Sequence, residues 1–348
     1  MATDRSSSPM PCGFLTGRSP AMSSVSEIER ETVARPIPVR AFPFGEGLEV
    51  VEIDVAGLRS DYPFQFDQIA AARALQRPLS SRRTPPLDLA DASAPDGLIF
   101  HVGRCGSTLL AVALARLQQS RVVSEPGALN DVLSEAGFWR FQPWPRREAA
   151  LRHLMHLVPA GFGDDPGPLI VKMSSWTTRE AARLQTMWPG VPKLYLYREP
   201  LAALASFAAR PPIWGRHAGA EGLLDFVART VADGMNVIAE MIEGDPMGDW
   251  MLVNYAELAD TMPAICRHFG MSPGTDLVAR FKVLARTNVK AADQGDAAVP
   301  RIDPCDTALE AIVEALVREP YNRLEELRLA QQARPSFGDG AACGRSRS

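Results

Sequence analysis

The sequence predicts a three-layer α/β/α fold with a central parallel sheet. From residue 98 onward, short apolar segments alternate with longer segments of helical periodicity. The clearest helical pattern spans residues 221–243, where apolar residues recur on one face. Strands that are apolar throughout, with helices between them, are typical of a parallel sheet covered on both faces. The candidate strands are residues 98–102, 121–123, 168–172, 193–197 and 250–254.

The composition is that of a globular protein without a strong field of either sign. The chain has 348 residues, of which 46% are hydrophobic and 22% charged, and its net charge is −4. We therefore expect no nucleic-acid partner, because nucleic acids bind extended basic surfaces. No apolar segment approaches the roughly 20 residues that span a bilayer, so we expect no membrane span.

The cysteines favour a reducing cytoplasm. They are widely spaced and never form a C-x-x-C pair, which indicates neither a disulfide framework nor a zinc site. We expect no bound metal. The five positions are Cys12, Cys105, Cys266, Cys305 and Cys343.

Composition also suggests how the chain is divided. Residues 1–36 are rich in Ser, Pro and Arg and predict a disordered leader, and residues 331–348 predict a disordered tail. Residues 37–96 are interpreted as an N-terminal extension that ends in a linker rich in Pro and Arg, over residues 77–97. Residues 97–330 form the predicted main domain.

The segment after the first candidate strand, VGRCGSTLLAVALARL, predicts an anion-binding loop. Backbone N–H groups of residues 105–108 can point inward, the following helix adds positive charge at its N-terminus, and Ser107 and Thr108 supply hydroxyls. The loop therefore suits a phosphate or a sulfate. Arg104 is its only cation, and no lysine follows Gly106, which argues against Mg·ATP. The alternative is a tight turn with Ser107 as helix N-cap.

The segment YREPLAALASF places Arg198 at the end of the fourth candidate strand and Ser206 eight residues later. Together with the loop, this pattern resembles the sulfotransferases that use 3′-phosphoadenosine 5′-phosphosulfate (PAPS). RVVSEPGALNDVL and WMLVNYAELADTMPAICRHFGM are similar to further family segments, so the resemblance covers about residues 97–290.

The resemblance implies a P-loop fold and transfer of a sulfuryl group from PAPS to a hydroxyl or amine, without a metal. The loop would hold the 5′-phosphosulfate, and an arginine with a serine eight residues on would hold the 3′-phosphate. The implied nucleotide-binding residues are Arg104, Cys105, Gly106, Ser107, Thr108, Arg198 and Ser206.

The implied catalytic residues are Arg104, Lys172 and Glu125. Arg104 and Lys172 would stabilise the transition state, but where some relatives carry Lys-x-His, this sequence has Ser174. Glu125 would then accept the proton of the acceptor. Its alternative roles are to cap the helix near residue 128 or to pair with Arg104.

His101 and Cys105 lie close to these residues and are interpreted as having structural roles. His101 lies inside the first strand and is interpreted as a hydrogen-bonded core residue. Cys105 is interpreted as a small loop residue, although the dipoles of the loop could lower its pKa. A nucleophilic role for Cys105 with His101 and Glu125 is disfavoured.

Two other functions remain open. One is a P-loop kinase or ATP hydrolase, and the other is a non-catalytic nucleotide-binding protein of the same fold. The acceptor would be a small molecule or carbohydrate-like compound, bound by residues 135–165, residues 211–222 and the N-terminal extension. The sequence does not predict an oligomeric state.

Overall fold

The computed structural model describes residues 34–59, 61–84, 94–287 and 307–334. Its strands are β1 (Pro36–Phe44), β2 (Gly47–Asp54), β3 (Leu79–Arg83), β4 (Gly97–His101), β5 (Arg121–Ser124), β6 (Leu169–Lys172), β7 (Lys193–Tyr197) and β8 (Trp250–Asn254). Its α-helices are α1 (Gln65–Ala74), α2 (Ser107–Gln118), α3 (Gly127–Leu133), α4 (Trp144–Leu157), α5 (Ala181–Met187), α6 (Pro200–Ala209), α7 (Gly219–Gly244), α8 (Leu258–His268), α9 (Leu277–Arg286), α10 (Thr307–Leu316) and α11 (Arg318–Gln332). Short 3₁₀ segments are Phe138–Phe141, Val158–Phe162, Ser175–Glu180, Ile213–Ala218 and Tyr255–Glu257.

A five-stranded sheet in the order β5–β6–β4–β7–β8 forms the centre of the described chain. All neighbouring strands of this sheet are parallel. The five predicted strands are confirmed, each within one residue of its expected ends, and the long helix is α7. Because the strands are parallel, their carboxyl ends meet at one edge of the sheet, where ligands bind in such folds.

Helices cover both faces of this sheet. Every residue of β4, β6, β7 and β8 is buried, which requires cover on both sides because side chains alternate along a strand. One group of helices consists of α2, α8 and α9, and a second group gathers α5, α6, α10 and α11 around α7. The predicted three-layer α/β/α class is therefore confirmed.

The N-terminal extension forms an antiparallel sheet in the order β1–β2–β3. It is attached to the main domain through β1. The backbone N–H of Ala41 donates to Asp131 of α3, and Trp139 donates its indole N–H to the carbonyl of Ala41. Helix α1 follows β2 and lies near the carboxyl edge of the central sheet, where its first residues reach the cleft described below.

Strand β3 lies inside the segment that the sequence predicts as a linker. Its five residues are all exposed, and they form a strand because their backbone pairs with β2. Arg82 and Arg83 support this pairing through ion pairs with Glu52 and Glu49. The predicted leader, apart from residues 34–36, and most of the predicted tail lie outside the described residues, as do residues 85–93 of the linker.

Helix α11 closes the free edge of β8. The side-chain amide of Gln331 accepts from the backbone N–H of Leu252 and donates to the carbonyl of Trp250, both at 3.1 Å. The amide thus takes the place of a neighbouring strand. Nearby, Arg328 donates to Glu257 at 2.6 Å, which ties the segment after β8 to the same helix.

Two observations concern membrane spans and metal sites. Among the described helices, none combines the length and apolar character needed to cross a bilayer. Within the same residues, no group of three or more His, Cys, Asp or Glu side chains is arranged to hold a metal ion.

Candidate functional site

The polar residues singled out in the sequence follow the carboxyl ends of the central strands. His101 ends β4, Glu125 follows β5, Lys172 ends β6 and Arg198 follows β7. Parallel pairing brings these strand ends to one edge of the sheet, as expected. The loop between β4 and α2, residues 102–106, lies at the same edge.

The glycines of this loop are required by its conformation. Gly103 and Gly106 have φ values of +81° and +83°, which are strained for residues with a side chain. A Cβ on Gly103 would lie 2.6 Å from the ring of Phe207, and one on Gly106 would lie 2.4 Å from the ring of Tyr255. The loop can therefore turn directly into α2 only with glycine at both positions.

The start of α2 presents polar groups to a cleft. Ser107 and Thr108, in its first turn, line the cleft together with Gly103 and Arg104. Neither hydroxyl caps the helix, so the alternative of Ser107 as N-cap is wrong, and the residue at that position is Gly106. The first-turn N–H groups and the positive end of the helix remain suited to an anion.

Two arginines supply positive charge beside the loop. The guanidinium of Arg104 donates to the carbonyl of Arg210 at 2.6 Å and lies 5.7 Å from the centre of the Phe207 ring. Burial lowers the pKa of Arg104, and the nearby Arg210 lowers it further. Both arginines line the cleft. Two like charges held together favour the binding of an anion between them.

Arg198 and Ser206 lie apart from the cleft lining. Arg198 packs its guanidinium 4.9 Å from the centre of the Tyr255 ring and makes a long contact of 3.4 Å with the carbonyl of Arg104. Ser206 lies within α6. The Tyr255 ring also lies against the space beside Gly106, so Arg198 and Tyr255 are both next to the loop.

Glu125 pairs with Lys172, and not with Arg104, which was one of its alternative roles. The ammonium of Lys172 donates to Oε1 of Glu125 at 2.9 Å and lies 4.5 Å from the centre of the Phe64 ring. Lys172 is fully buried, whereas the Glu125 side chain is 30% exposed and lines the cleft. Lys172 is therefore placed behind the carboxylate and does not line the cleft.

Glu125 is held as a carboxylate. Burial raises the pKa of its carboxyl group, but the charge of the neighbouring Lys172 ammonium outweighs burial and lowers that pKa far below its ordinary range. A carboxylate with a lowered pKa is a weak base. Glu125 also has a positive φ of 55°, an uncommon conformation for a residue with a side chain. It does not cap α3, whose N-terminus has no side-chain cap.

His101 is buried as predicted, but it also faces the cleft. The backbone N–H of Gly103 donates to Nδ1 at 2.9 Å, so the proton of the neutral ring lies on Nε2. Nε2 is 3.7 Å from Oε1 of Glu125 and has no hydrogen-bond partner among the described residues. Burial lowers the pKa of His101, which keeps the ring neutral. A buried N–H without a partner is available to a ligand.

Cys105 has the structural role that the sequence suggested. Its thiol is buried and donates to the carbonyl of Leu196 at 3.3 Å. Burial raises the pKa of this thiol to about 11, so the expectation that loop dipoles could lower it is wrong. Ser174, at the position of the family's histidine, is buried and does not line the cleft.

The cleft has a volume of about 440 Å³, in the range of small-molecule sites. Several of its residues were not predicted from the sequence, including Arg210 and Ser175. Residues 63–67 belong to the N-terminal extension, and residues 211, 212 and 214 belong to the segment 211–222; both segments were expected to help bind the acceptor. No residue of the third expected segment, 135–165, lines the cleft. The residues that line the cleft are Pro63, Phe64, Phe66, Asp67, His101, Gly103, Arg104, Ser107, Thr108, Glu125, Ser175, Phe207, Arg210, Pro211, Pro212 and Trp214.

Comparison with known proteins finds similarity in structure only. No protein-family model and no curated protein sequence matches the chain. A sulfotransferase domain from the curacin biosynthetic pathway is 14% identical, with a TM-score of 0.36; the match covers 65% of this chain and 98% of that domain. A sulfotransferase domain from the Synechococcus PCC 7002 olefin synthase is 15% identical, with a TM-score of 0.38, and the match covers 69% and 96%. Both similarities are distant.

Proposed function

We propose that the protein is a sulfotransferase that transfers the sulfuryl group of PAPS to a hydroxyl group. One observation carries the proposal: an anion-binding loop with two arginines and a partly exposed carboxylate line the same cleft. The loop suits the anionic end of a donor, and the carboxylate suits the proton of an acceptor. The unpartnered Nε2–H of His101 beside them fits a ligand oxygen.

PAPS would supply an activated sulfuryl group whose sulfur is attacked by the acceptor oxygen, with the bond to the 5′-phosphate oxygen breaking as the new S–O bond forms. Residues 103–108 would hold the leaving phosphate, and Arg104 and Arg210 would neutralise the charge that develops on it. Glu125, although a weak base, would take the proton as the new S–O bond forms, because the attacking hydroxyl oxygen then becomes strongly acidic. The products would be a sulfate ester and 3′,5′-adenosine bisphosphate.

Lys172 acts through Glu125 in this proposal. Its buried ammonium fixes one carboxylate oxygen, which leaves the other oxygen of Glu125 for the acceptor. This position differs from the direct contact with the sulfuryl group that the family resemblance implied. Lys172 is thus a positioning residue.

Arg198 and Ser206 would recognise the 3′-phosphate. The support is that Arg198 contacts the loop backbone beside Tyr255, which is near enough for one nucleotide to reach both sides of the loop. An arginine can bind a phosphate through two parallel hydrogen bonds. Tyr255 is 37% exposed and offers a ring against which a base or ribose can pack.

Calorimetric titration with 3′,5′-adenosine bisphosphate tests the donor assignment. We expect micromolar binding that is lost with 5′-AMP, which lacks the 3′-phosphate. Arg198→Ala should weaken this binding by about 2 kcal/mol, the order expected when a charged hydrogen bond is lost. Arg229→Ala, which removes an arginine 62% exposed on α7, is the matched control. Preference for Mg·ATP over the bisphosphate would favour a kinase or hydrolase and contradict the proposal.

A further inference from the structure

The carboxylate of Glu325, on α11, holds the last residues of β7 and β8 together. Its Oε1 accepts from the hydroxyl of Tyr197 at 2.5 Å and from the side-chain amide of Asn254 at 3.0 Å. Tyr197 and Asn254 are paired residues of the two neighbouring strands. The next residues along the chain are Arg198 and Tyr255, which contact each other beside the anion loop. One carboxylate therefore fixes the residue that precedes each of them.

Arg328 holds the carboxylate of Glu325 in place. It donates from Nε to Oε1 at 3.1 Å and from Nη2 to Oε2 at 2.7 Å, and this two-point bond fixes the plane of the carboxylate. Arg328 is 6% exposed and also donates to Glu257 in the segment after β8. Burial raises the pKa of Glu325, but the hydrogen bonds from Arg328 and from the two strand ends outweigh burial and lower that pKa. The group is therefore a carboxylate at neutral pH, with its partners satisfied.

The residue that follows Arg198 is bonded to α11 as well. Arg318, the first residue of α11, pairs with Oε1 of Glu199 at 3.4 Å, and the other oxygen of Glu199 accepts from the backbone N–H of Ala202 in α6. The guanidinium of Arg198 lies against the Tyr255 ring and makes one long contact of 3.4 Å with a carbonyl, and neither contact is strong. Its position therefore depends on the backbone that carries it, which α11 holds on both sides.

We infer that Glu325 is a positioning residue for the nucleotide site, because through the ends of β7 and β8 it sets the placement of Arg198 and Tyr255. The inference rests on the proposed binding of a 3′-phosphate by Arg198. An arginine binds a phosphate through two hydrogen bonds only when its guanidinium is correctly oriented. Without the carboxylate, Tyr197 and Asn254 lose their shared partner, and the two strand ends are free to separate. The competing explanation is a purely structural role, in which Glu325 stabilises α11 and leaves nucleotide binding unaffected.

Calorimetric titration with 3′,5′-adenosine bisphosphate separates the two roles. Glu325→Ala should weaken binding about tenfold, and Tyr197→Phe, which removes one hydroxyl and carries the test if Glu325→Ala does not fold, about threefold. Glu326→Ala removes an exposed carboxylate from the next position of α11 and should bind as the wild type does. Added to Arg198→Ala, either variant should cause at most about a twofold further loss, because the guanidinium that Glu325 positions is already absent. Wild-type affinity in both variants, or losses that add to that of Arg198→Ala, would overturn the inference.

Fluorine NMR of protein labelled with 3-fluorotyrosine reports on the same placement without a nucleotide. The chain has five tyrosines, and the signal of Tyr255 is the one that is lost in Tyr255→Phe. Glu325→Ala and Tyr197→Phe should shift this signal, whereas Glu326→Ala should not; an unshifted signal in the first two would contradict the positioning. If the signal shifts but the wild type does not bind the bisphosphate, Glu325 positions Tyr255 and the proposed donor is wrong. If the wild type and Glu325→Ala bind the bisphosphate equally, the donor stands and the positioning is wrong.

Discussion

Replacing Lys172 or Glu125 singly should destabilise the protein far more than replacing both. Glu125→Gln leaves a fully buried ammonium without its carboxylate, which should cost about 3–4 kcal/mol in the free energy of unfolding. Lys172→Met leaves a carboxylate that is 30% exposed and can be hydrated, so its cost should be lower, about 2 kcal/mol. The double variant replaces the pair with neutral groups of similar size and should lie within about 1 kcal/mol of the wild type.

Urea unfolding at pH 7, followed by tryptophan fluorescence and far-UV circular dichroism, measures this cycle. We expect a coupling energy of about 5 kcal/mol, seen as shifts of the midpoint at constant slope. Additive effects within about 0.5 kcal/mol would refute the reasoning, because they would mean that the two groups do not interact in the folded protein.

The same pair predicts a dependence on pH with a definite sign. The folded protein lowers the pKa of Glu125 below its value of about 4.3 in the unfolded chain. The stabilisation from the pair is therefore fully present above that value and is lost as the pH falls below it. The difference in stability between the wild type and Lys172→Met should shrink below about pH 4.

Three further predictions concern other parts of the fold. Gly106→Ala should abolish binding of 3′,5′-adenosine bisphosphate in calorimetry, because the new Cβ would displace the Tyr255 ring; unchanged affinity would contradict the described loop. The pKa of His268 is lowered by burial to about 4, so this residue alone should reduce the unfolding free energy by about 2 kcal/mol between pH 7 and 4.5; His268→Gln should reduce the slope in urea unfolding by that amount, while His101, whose pKa burial also lowers, keeps its own share. The Cys105 thiol should resist iodoacetamide at pH 8 in the folded protein, which peptide mass spectrometry can check, since modification there would contradict its burial and raised pKa.

The central sheet could be predicted because its strands are apolar throughout and separated by helical patterns. The N-terminal sheet could not. β1 contains three prolines, which argue against a strand, and β3 has the sequence LSSRR with no apolar alternation. Both form because backbone groups pair with β2, and such pairing leaves no local signal.

The candidate site, like the fold, could be predicted only in part from the sequence. The anion loop could be predicted from its glycines and its position between a strand and a helix. The partner of Glu125 could not, since it depends on the order of the strands. β5 pairs with β6 in a register that places Ser124 opposite Lys172, and the next residue, Glu125, thereby meets the ammonium. The approach of Phe64 to this pair depends on how the extension packs, which the sequence does not reveal.

The amide of Gln331 has a consequence for how the protein behaves among its own copies. β8 is the last strand of the central sheet, and an open strand edge is a template for pairing with another molecule. In the complete fold, the amide occupies the backbone groups of Leu252 and Trp250 that a second chain would use. A chain that ended before residue 318 would expose this edge. Loss of the final helix should therefore cause self-association through the sheet.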